Sequence, residues 1–124
     1  MKVPFNVLDF LDRAELVYGD RIGVADEPDQ PADSWGELTW RQVAERARAL
    51  AAGLDALGVR RGERVAIVSQ NSARLLVTLF GVSGYGRIVV PINFRLNADE
   101  VGYIVEHSGA SVLLVDPELD EALR

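Results

Sequence analysis

The chain has 124 residues, 48% of them hydrophobic and 26% charged, which is a globular composition and one domain's worth of length. A formal net charge of -6 leaves no electrostatic footprint for nucleic acid or anionic lipid. With no cysteine and one histidine, disulfides, thiolate metal sites and His-rich metal centres are excluded. The opening MKVPFNVLDFLDRAE lacks the uninterrupted apolar core of a signal peptide, and no apolar run approaches the roughly 20 residues of a membrane span. A soluble, cytoplasmic protein is the expectation.

After a short lead-in over residues 1–4, Asn6 is placed to cap a helix, with Phe5 and Phe10 spaced as a hydrophobic staple. Val7, Phe10, Leu11, Ala14, Val17 and Tyr18 share one face at helical spacing, and Gly19 ends the helix. Residues 22–25 read as a strand. A loop rich in Pro, Asp and Gly follows over 28–36, and residues 37–39 pair back to make a small hairpin region over 22–39. Thr39 and Gln42 form a capping box. Behind it Val43, Ala47, Leu50, Leu54 and Leu57 make one stripe, with Arg41, Glu45, Arg48 and Asp55 facing away and Gly58 as the C-terminal glycine.

The centre of the chain is residues 63–96. Val65, Ala66, Ile67 and Val68 form a short apolar run suited to a strand buried on both faces. Asn71 and Ser72 supply cap chemistry, an apolar helix runs to about Val82, and Gly84 and Gly86 end it. Ile88, Val89 and Val90 make a second buried strand, whose ladder Pro91 is expected to stop. Two such strands joined by a helix form a parallel, right-handed crossover. Asn97 and Glu100 then box another helix, with Val101, Ile104 and Val105 inward, Asp99, Glu100, Glu106 and His107 outward, and Gly109 at its end. Residues 112–115 make a third buried strand, and Asp116-Pro117 opens a further helix with Pro at its favoured first position.

The fold class is therefore α/β, a parallel sheet with flanking helices: a single partial domain over 1–124 with a βαβαβ core over about 64–115. The last helix is only begun, so the chain reads as cut. Such sheets commonly have five or more strands. An open edge and the nearly all-round apolar helix of Leu75, Leu76, Val77, Leu79, Phe80 and Val82 lead us to expect self-association, most simply a homodimer.

Ligands of open parallel sheets bind at the carboxyl ends of the strands. Three segments lie there: residues 69–72, 91–95 and 116–117. The first opens a helix, which favours anions, although capping alone explains Asn71 and Ser72. Arg95 sits in a short loop at the same edge, where pairing with a local carboxylate or carbonyl is the expected role. Asn71, Ser72 and Arg95 are the nearest approach to ligand-binding candidates. Gly84-Tyr85-Gly86 is no dinucleotide fingerprint, because no third glycine follows and the element precedes a strand. There is no GxxxxGK[ST] loop, and Lys2 is the only lysine. No catalytic or metal-ligating set stands out.

The run from Leu38 to Asp116 resembles the N-terminal part of adenylate-forming acid–CoA ligases, the superfamily of acyl-CoA synthetases, luciferases and peptide-synthetase adenylation domains. The landmarks are Leu38-Thr39-Trp40, Leu57-Gly58-Val59, Gly62-Glu63-Arg64-Val65-Ala66, Asn71-Ser72, Pro91-Ile92-Asn93-Phe94-Arg95-Leu96, Glu100 and Ser108-Gly109-Ala110. The Pro-Ile-Asn-Phe-Arg-Leu form is most similar to fatty acyl-CoA ligases. The resemblance implies a two-step reaction: a carboxylate is adenylated by ATP with Mg²⁺, and the acyl group then passes to a thiol, usually coenzyme A. The family's lysine-bearing phosphate loop, acidic adenylate motif, hinge and C-terminal domain lie downstream of the matched part. None maps onto a position here, so no cofactor is expected to bind this stretch alone. Relatives commonly have Gly-Ala where this chain has Gly86-Arg87, which puts the packing of that turn in question. The alternative is a stand-alone, non-catalytic binding or assembly module of the same fold.

Overall fold

The structure is a computed structural model that describes residues 4–124; most of the expected lead-in lies outside them. Helix α1 (Leu8–Tyr18) starts as the sequence predicts. The Asn6 side chain accepts the Leu8 N–H at 3.0 Å, and the Phe5 and Phe10 rings meet edge to face at 5.7 Å. Its inward face differs from the expected one. Leu8 and Leu11 enter the core, while Val7, Phe10, Val17 and Tyr18 remain exposed. Burial of Leu8 and Leu11 against the core sets this face. Glu15 lies on it one turn beyond Leu11, and its carboxylate takes two hydrogen bonds from Arg48 at 2.8 and 3.0 Å.

Strands β1 (Ile22–Ala25) and β2 (Glu37–Thr39) form the antiparallel hairpin, with Val24 opposite Leu38. Trp40 lies flat against it: a Cβ on Gly23 would sit 2.6 Å from the Trp40 ring. Helix α2 (Trp40–Ala56) follows at once behind the capping box, in which Thr39 Oγ1 accepts from the Gln42 N–H and Gln42 Oε1 accepts from the Thr39 N–H. Val43, Ala44, Ala47, Ala51 and Leu54 are buried, with Leu50 half-buried. Leu57, expected on this stripe, is 72% exposed. The helix has already ended there. Gly58 adopts φ +76°, and the Val59 N–H reaches back to the Leu54 carbonyl at 3.0 Å, so Val59 takes the buried position.

The second sheet has the order β4-β3-β5, all parallel: β3 (Arg64–Val68) is central, and β4 (Ile88–Ile92) and β5 (Ala110–Val115) flank it. Helix α3 (Ala73–Ser83) leads from β3 to β4, and α4 (Ala98–Ser108) leads from β4 to β5. Val65 faces Leu50, Leu54 and Val82 of α2 and α3. Ala66 and Val68 face Val101 and Ile104 of α4 and Leu119 and Leu123 of α5 (Pro117–Leu123). Small residues let α2 and α3 approach closely: a Cβ on Gly81 would lie 2.9 Å from the Leu50 side chain and 3.0 Å from the Ala47 carbonyl.

Two expectations are corrected. Of the three strands expected to be buried, only β3 is; β4 and β5 are edges among the described residues, and Ile88 and Leu113 are exposed. Pro91 does not stop the ladder. It stands opposite Ile67 inside β4, which an edge strand tolerates because one row of N–H groups faces away from its only neighbour. No helix among the described residues is long and apolar enough to cross a membrane.

Arg87, the residue that put the turn before β4 in question, is built into it. Its side chain is 4% exposed. Nε and Nη2 donate to the Val59 carbonyl at 3.0 and 2.6 Å, and Nη2 also pairs with Asp55. The guanidinium thus ties the end of α2 to the start of β4. Removing it leaves a buried carbonyl unsatisfied, while Asp55 stays solvated. We predict that Arg87→Ala lowers stability by about 2 kcal/mol, and that Asp55→Ala, which strips the buried guanidinium of its carboxylate, lowers it by about 1.5 kcal/mol. Thermal melts of the two variants test this; a larger loss for Asp55→Ala would show that the ion pair, not the carbonyl, dominates.

Candidate functional site

The chain leaves the central strand β3 to form β4 on one side, then crosses to form β5 on the other. Successive crossovers in opposite directions place α3 and α4 on opposite faces. The connections that leave the carboxyl ends of β3 and β5 therefore turn to opposite faces, and this switch point is where open α/β sheets bind ligands. A cavity of about 350 Å³ opens there. Leu50, Ile67, Val77 and Leu114 form its apolar floor, and Trp35, Arg46, Arg74 and Asp116 form its polar side.

Asp116 joins the two strand ends. It is buried, and its Oδ2 accepts the Ser69 hydroxyl at 2.6 Å and the Gln70 N–H at 3.0 Å. It does not cap α5 with its side chain, although it stands at the N-cap position. Arg74, in the first turn of α3, places Nε 3.6 Å from Asp116 Oδ1, too far for a hydrogen bond. That buried Nε has no hydrogen-bond partner. Nη2 of Arg74 donates to Glu118 at 3.3 Å and to the Asp33 carbonyl at 3.1 Å.

The N-terminus of α3 carries an anion of the protein's own. Asp26, buried at the end of β1, accepts the Ala73 N–H at 2.7 Å with Oδ1 and the Trp35 N–H at 3.0 Å with Oδ2. Ser72 caps the next turn, accepting from the Leu75 N–H at 3.5 Å. The expected preference of this helix start for anions is thus met internally. A phosphate would meet three carboxylates, Asp26, Asp116 and Glu118, against two guanidinium groups, Arg46 and Arg74, so these residues do not fit the triphosphate of ATP. Nor do three His, Asp or Glu side chains converge as a Mg²⁺ site among the described residues.

Of the sequence-derived candidates, Ser72 is a cap and Asn71 is exposed. Arg95 lies one strand away, past β4, exposed, with its guanidinium 5.7 Å from the Phe94 ring centroid in place of the expected carboxylate or carbonyl. No hydrogen bond or ion pair joins the three among the described residues. His107 stacks on Tyr103 on the outer side of α4. Sequence reasoning placed Asp116 at this edge without giving it a role, and missed Asp26 and Arg74. The available signal was positional: each stands at the end of a strand or the start of a helix on the carboxyl side of the sheets.

Three glutamates, Glu15, Glu63 and Glu118, lie below the ordinary range, and two of them belong to the contacts described above. Glu118 is lowered by its own N–H and that of Asp33, then by Arg74. Glu15 is lowered chiefly by its hydrogen bonds from Arg48. Both contributions are complete above the unfolded-state value of about 4.3 and are lost as pH falls through the lowered folded values.

With this geometry in place, the chain belongs to the AMP-binding enzyme family, whose family model matches residues 11–124. It is 38% identical over 122 residues to a long-chain-fatty-acid–CoA ligase of Thermus thermophilus, covering 96% of this chain and 21% of that protein. It is 36% identical to a peroxisomal acetate/butyrate–CoA ligase of Arabidopsis thaliana, covering 94% of this chain and 20% of that protein. In structure it is similar to an anthranilate CoA ligase solved with anthranoyl-AMP, at TM-score 0.85 and 32% identity, over 99% of this chain and 22% of that one. The chain thus spans about a fifth of the length of the relatives it matches.

The double role of Asp26 sets an expectation. Asp26→Ala leaves two N–H groups without an acceptor and is expected to cost about 3 kcal/mol. Asp26→Asn keeps one acceptor oxygen and should cost about half as much. Urea unfolding of both variants measures it, and equal losses would show that the hydrogen bonds are not what Asp26 contributes.

Proposed function

We propose that this chain is the N-terminal part of an ATP-dependent acid–CoA ligase. Such an enzyme joins a carboxylic acid to AMP with release of pyrophosphate, then transfers the acyl group to the thiol of coenzyme A. The supporting observation is the family match over residues 11–124, together with the close structural likeness to a ligase solved with an acyl-adenylate. A fatty acid is the substrate class we favour, on the identity to the Thermus thermophilus ligase. Residence in the cytoplasm belongs to the same proposal, although the Arabidopsis thaliana relative is named as peroxisomal.

In this reading residues 4–124 serve as scaffold. They supply a sheet edge, a packed pair of helices and a closed switch point, and the groups that hold ATP, Mg²⁺ and coenzyme A belong to other parts of the enzyme. The 124-residue chain, assayed as it stands, should show no carboxylate-dependent exchange of pyrophosphate into ATP. The developing phosphate charge would find no preorganised donors here. Exchange clearly above that of a mock purification would overturn the assignment of a scaffold role.

We also propose that the isolated chain self-associates through β5. Its six residues, ASVLLV, carry neither charge nor proline, whereas β4 has Pro91. An unblocked apolar edge recruits another strand. Light scattering at tens of micromolar should report a dimer, and Leu113→Lys should restore the monomer. A monodisperse wild-type monomer would refute the proposal.

A further inference from the structure

The loop between β1 and β2 is tied down in an uneven way. At its base the Asp26 N–H donates to the Gly36 carbonyl at 3.0 Å, and the Asp26 carboxylate holds the Trp35 N–H. Ala32 is only 1% exposed, so the middle of the loop is docked against the body. The Trp35 ring packs against the core, has the guanidinium groups of Arg46 and Arg74 at 4.1 and 6.0 Å from its centroid, and forms one wall of the switch-point cavity. The remaining fastening is at the surface. The Asp33 N–H donates to Glu118 Oε1 at 2.8 Å, and Arg74 Nη2 donates to the Asp33 carbonyl.

We propose that residues 27–36 form a strap that closes the switch-point cavity, hinged at Asp26 and Gly36 and latched by Glu118 and Arg74 onto Asp33. This does not depend on the ligase reading. Charge makes the latch releasable. The strap carries Glu27, Asp29 and Asp33 and no basic residue. It faces Glu118 and Asp116, so Arg74 and Arg46 alone offset the repulsion among these named groups. Asp26 at the hinge is buried, whereas both bonds to Asp33 are exposed and the latch side chains of Arg74 and Glu118 are 16% and 28% exposed and reachable by water. Pro28 and Pro31 restrict the backbone of the strap, which favours movement as a unit.

The test labels the full chain with 5-fluorotryptophan. Its two tryptophans, Trp35 and Trp40, give two ¹⁹F resonances, assigned with Trp35→Phe. The shift of each resonance between H₂O and D₂O reports its exposure. In Glu118→Ala at neutral pH the Trp35 isotope shift should at least double while that of Trp40 stays constant. Glu118→Gln, which keeps an oxygen to accept the Asp33 N–H, should fall between. An unchanged Trp35 in Glu118→Ala would overturn the latch. Equal changes at Trp35 and Trp40, or failure of Glu118→Ala to fold, would show that the loop is part of the core and not a strap.

Discussion

Burial of four consecutive side chains, Val65 to Val68, is the constraint on which the second sheet depends. A strand with apolar residues on both faces needs cover on both, and full burial of one valine is worth roughly 1.5–3 kcal/mol. The chain meets this need by alternation. Val65 packs under α2 and α3, while Ala66 and Val68 pack over α4 and α5. Crossing from β4 on one side to β5 on the other puts the covering helices on opposite faces. The same crossing sends the connections after β3 and β5 to opposite faces, so the candidate site follows from covering β3.

Polar side chains then close what the topology opens. Asp116 joins the ends of β3 and β5, Asp26 joins the hairpin to α3, and Arg87 joins α2 to β4. Each uses a charged group to satisfy backbone or hydroxyl groups that burial has stripped of water. These bonds span 28 to 47 residues in sequence, which separates them from ordinary helix caps.

Local chemistry was the legible part of the sequence. The capping boxes at Thr39 and Asn97, the Ser72 cap, the glycines at 58 and 109 and the hairpin strands all lie where residue type and spacing put them. What the sequence did not show depends on partners far along the chain. The inward face of α1 is set by what Leu8 and Leu11 meet, the residues of α2 and α3 more than thirty positions away. Three equally apolar runs gave no sign that β4 and β5 would be edges, because strand order is not encoded in a strand's own composition. Asp26 and Asp116 resembled ordinary loop carboxylates, since their burial comes from elements that converge only in the fold. The landmark residues that carried the family resemblance turned out to be mostly caps, turns and strand ends, which are local features too.

The Arg87 clasp also governs where the chain could be opened or lengthened. It joins Asp55 and Val59 to residue 87 and encloses β3 and α3 in one closed circuit of chain. Within that circuit the short link over 60–63 runs from a helix terminus fixed by Gly58 into the central strand, buried from Val65 on, with the Gly62 N–H held by the Gly86 carbonyl at 2.8 Å. Extra residues there would have to break the clasp or shift the register of β3, and a one-residue slip would exchange its two faces. The link over 93–97 lies outside the circuit, is mostly exposed, and ends in its own capping box. Extra length costs little in such a loop, about 0.6 kcal/mol per doubling. Circular permutation and domain grafting therefore have a natural point of entry after β4 and none before β3.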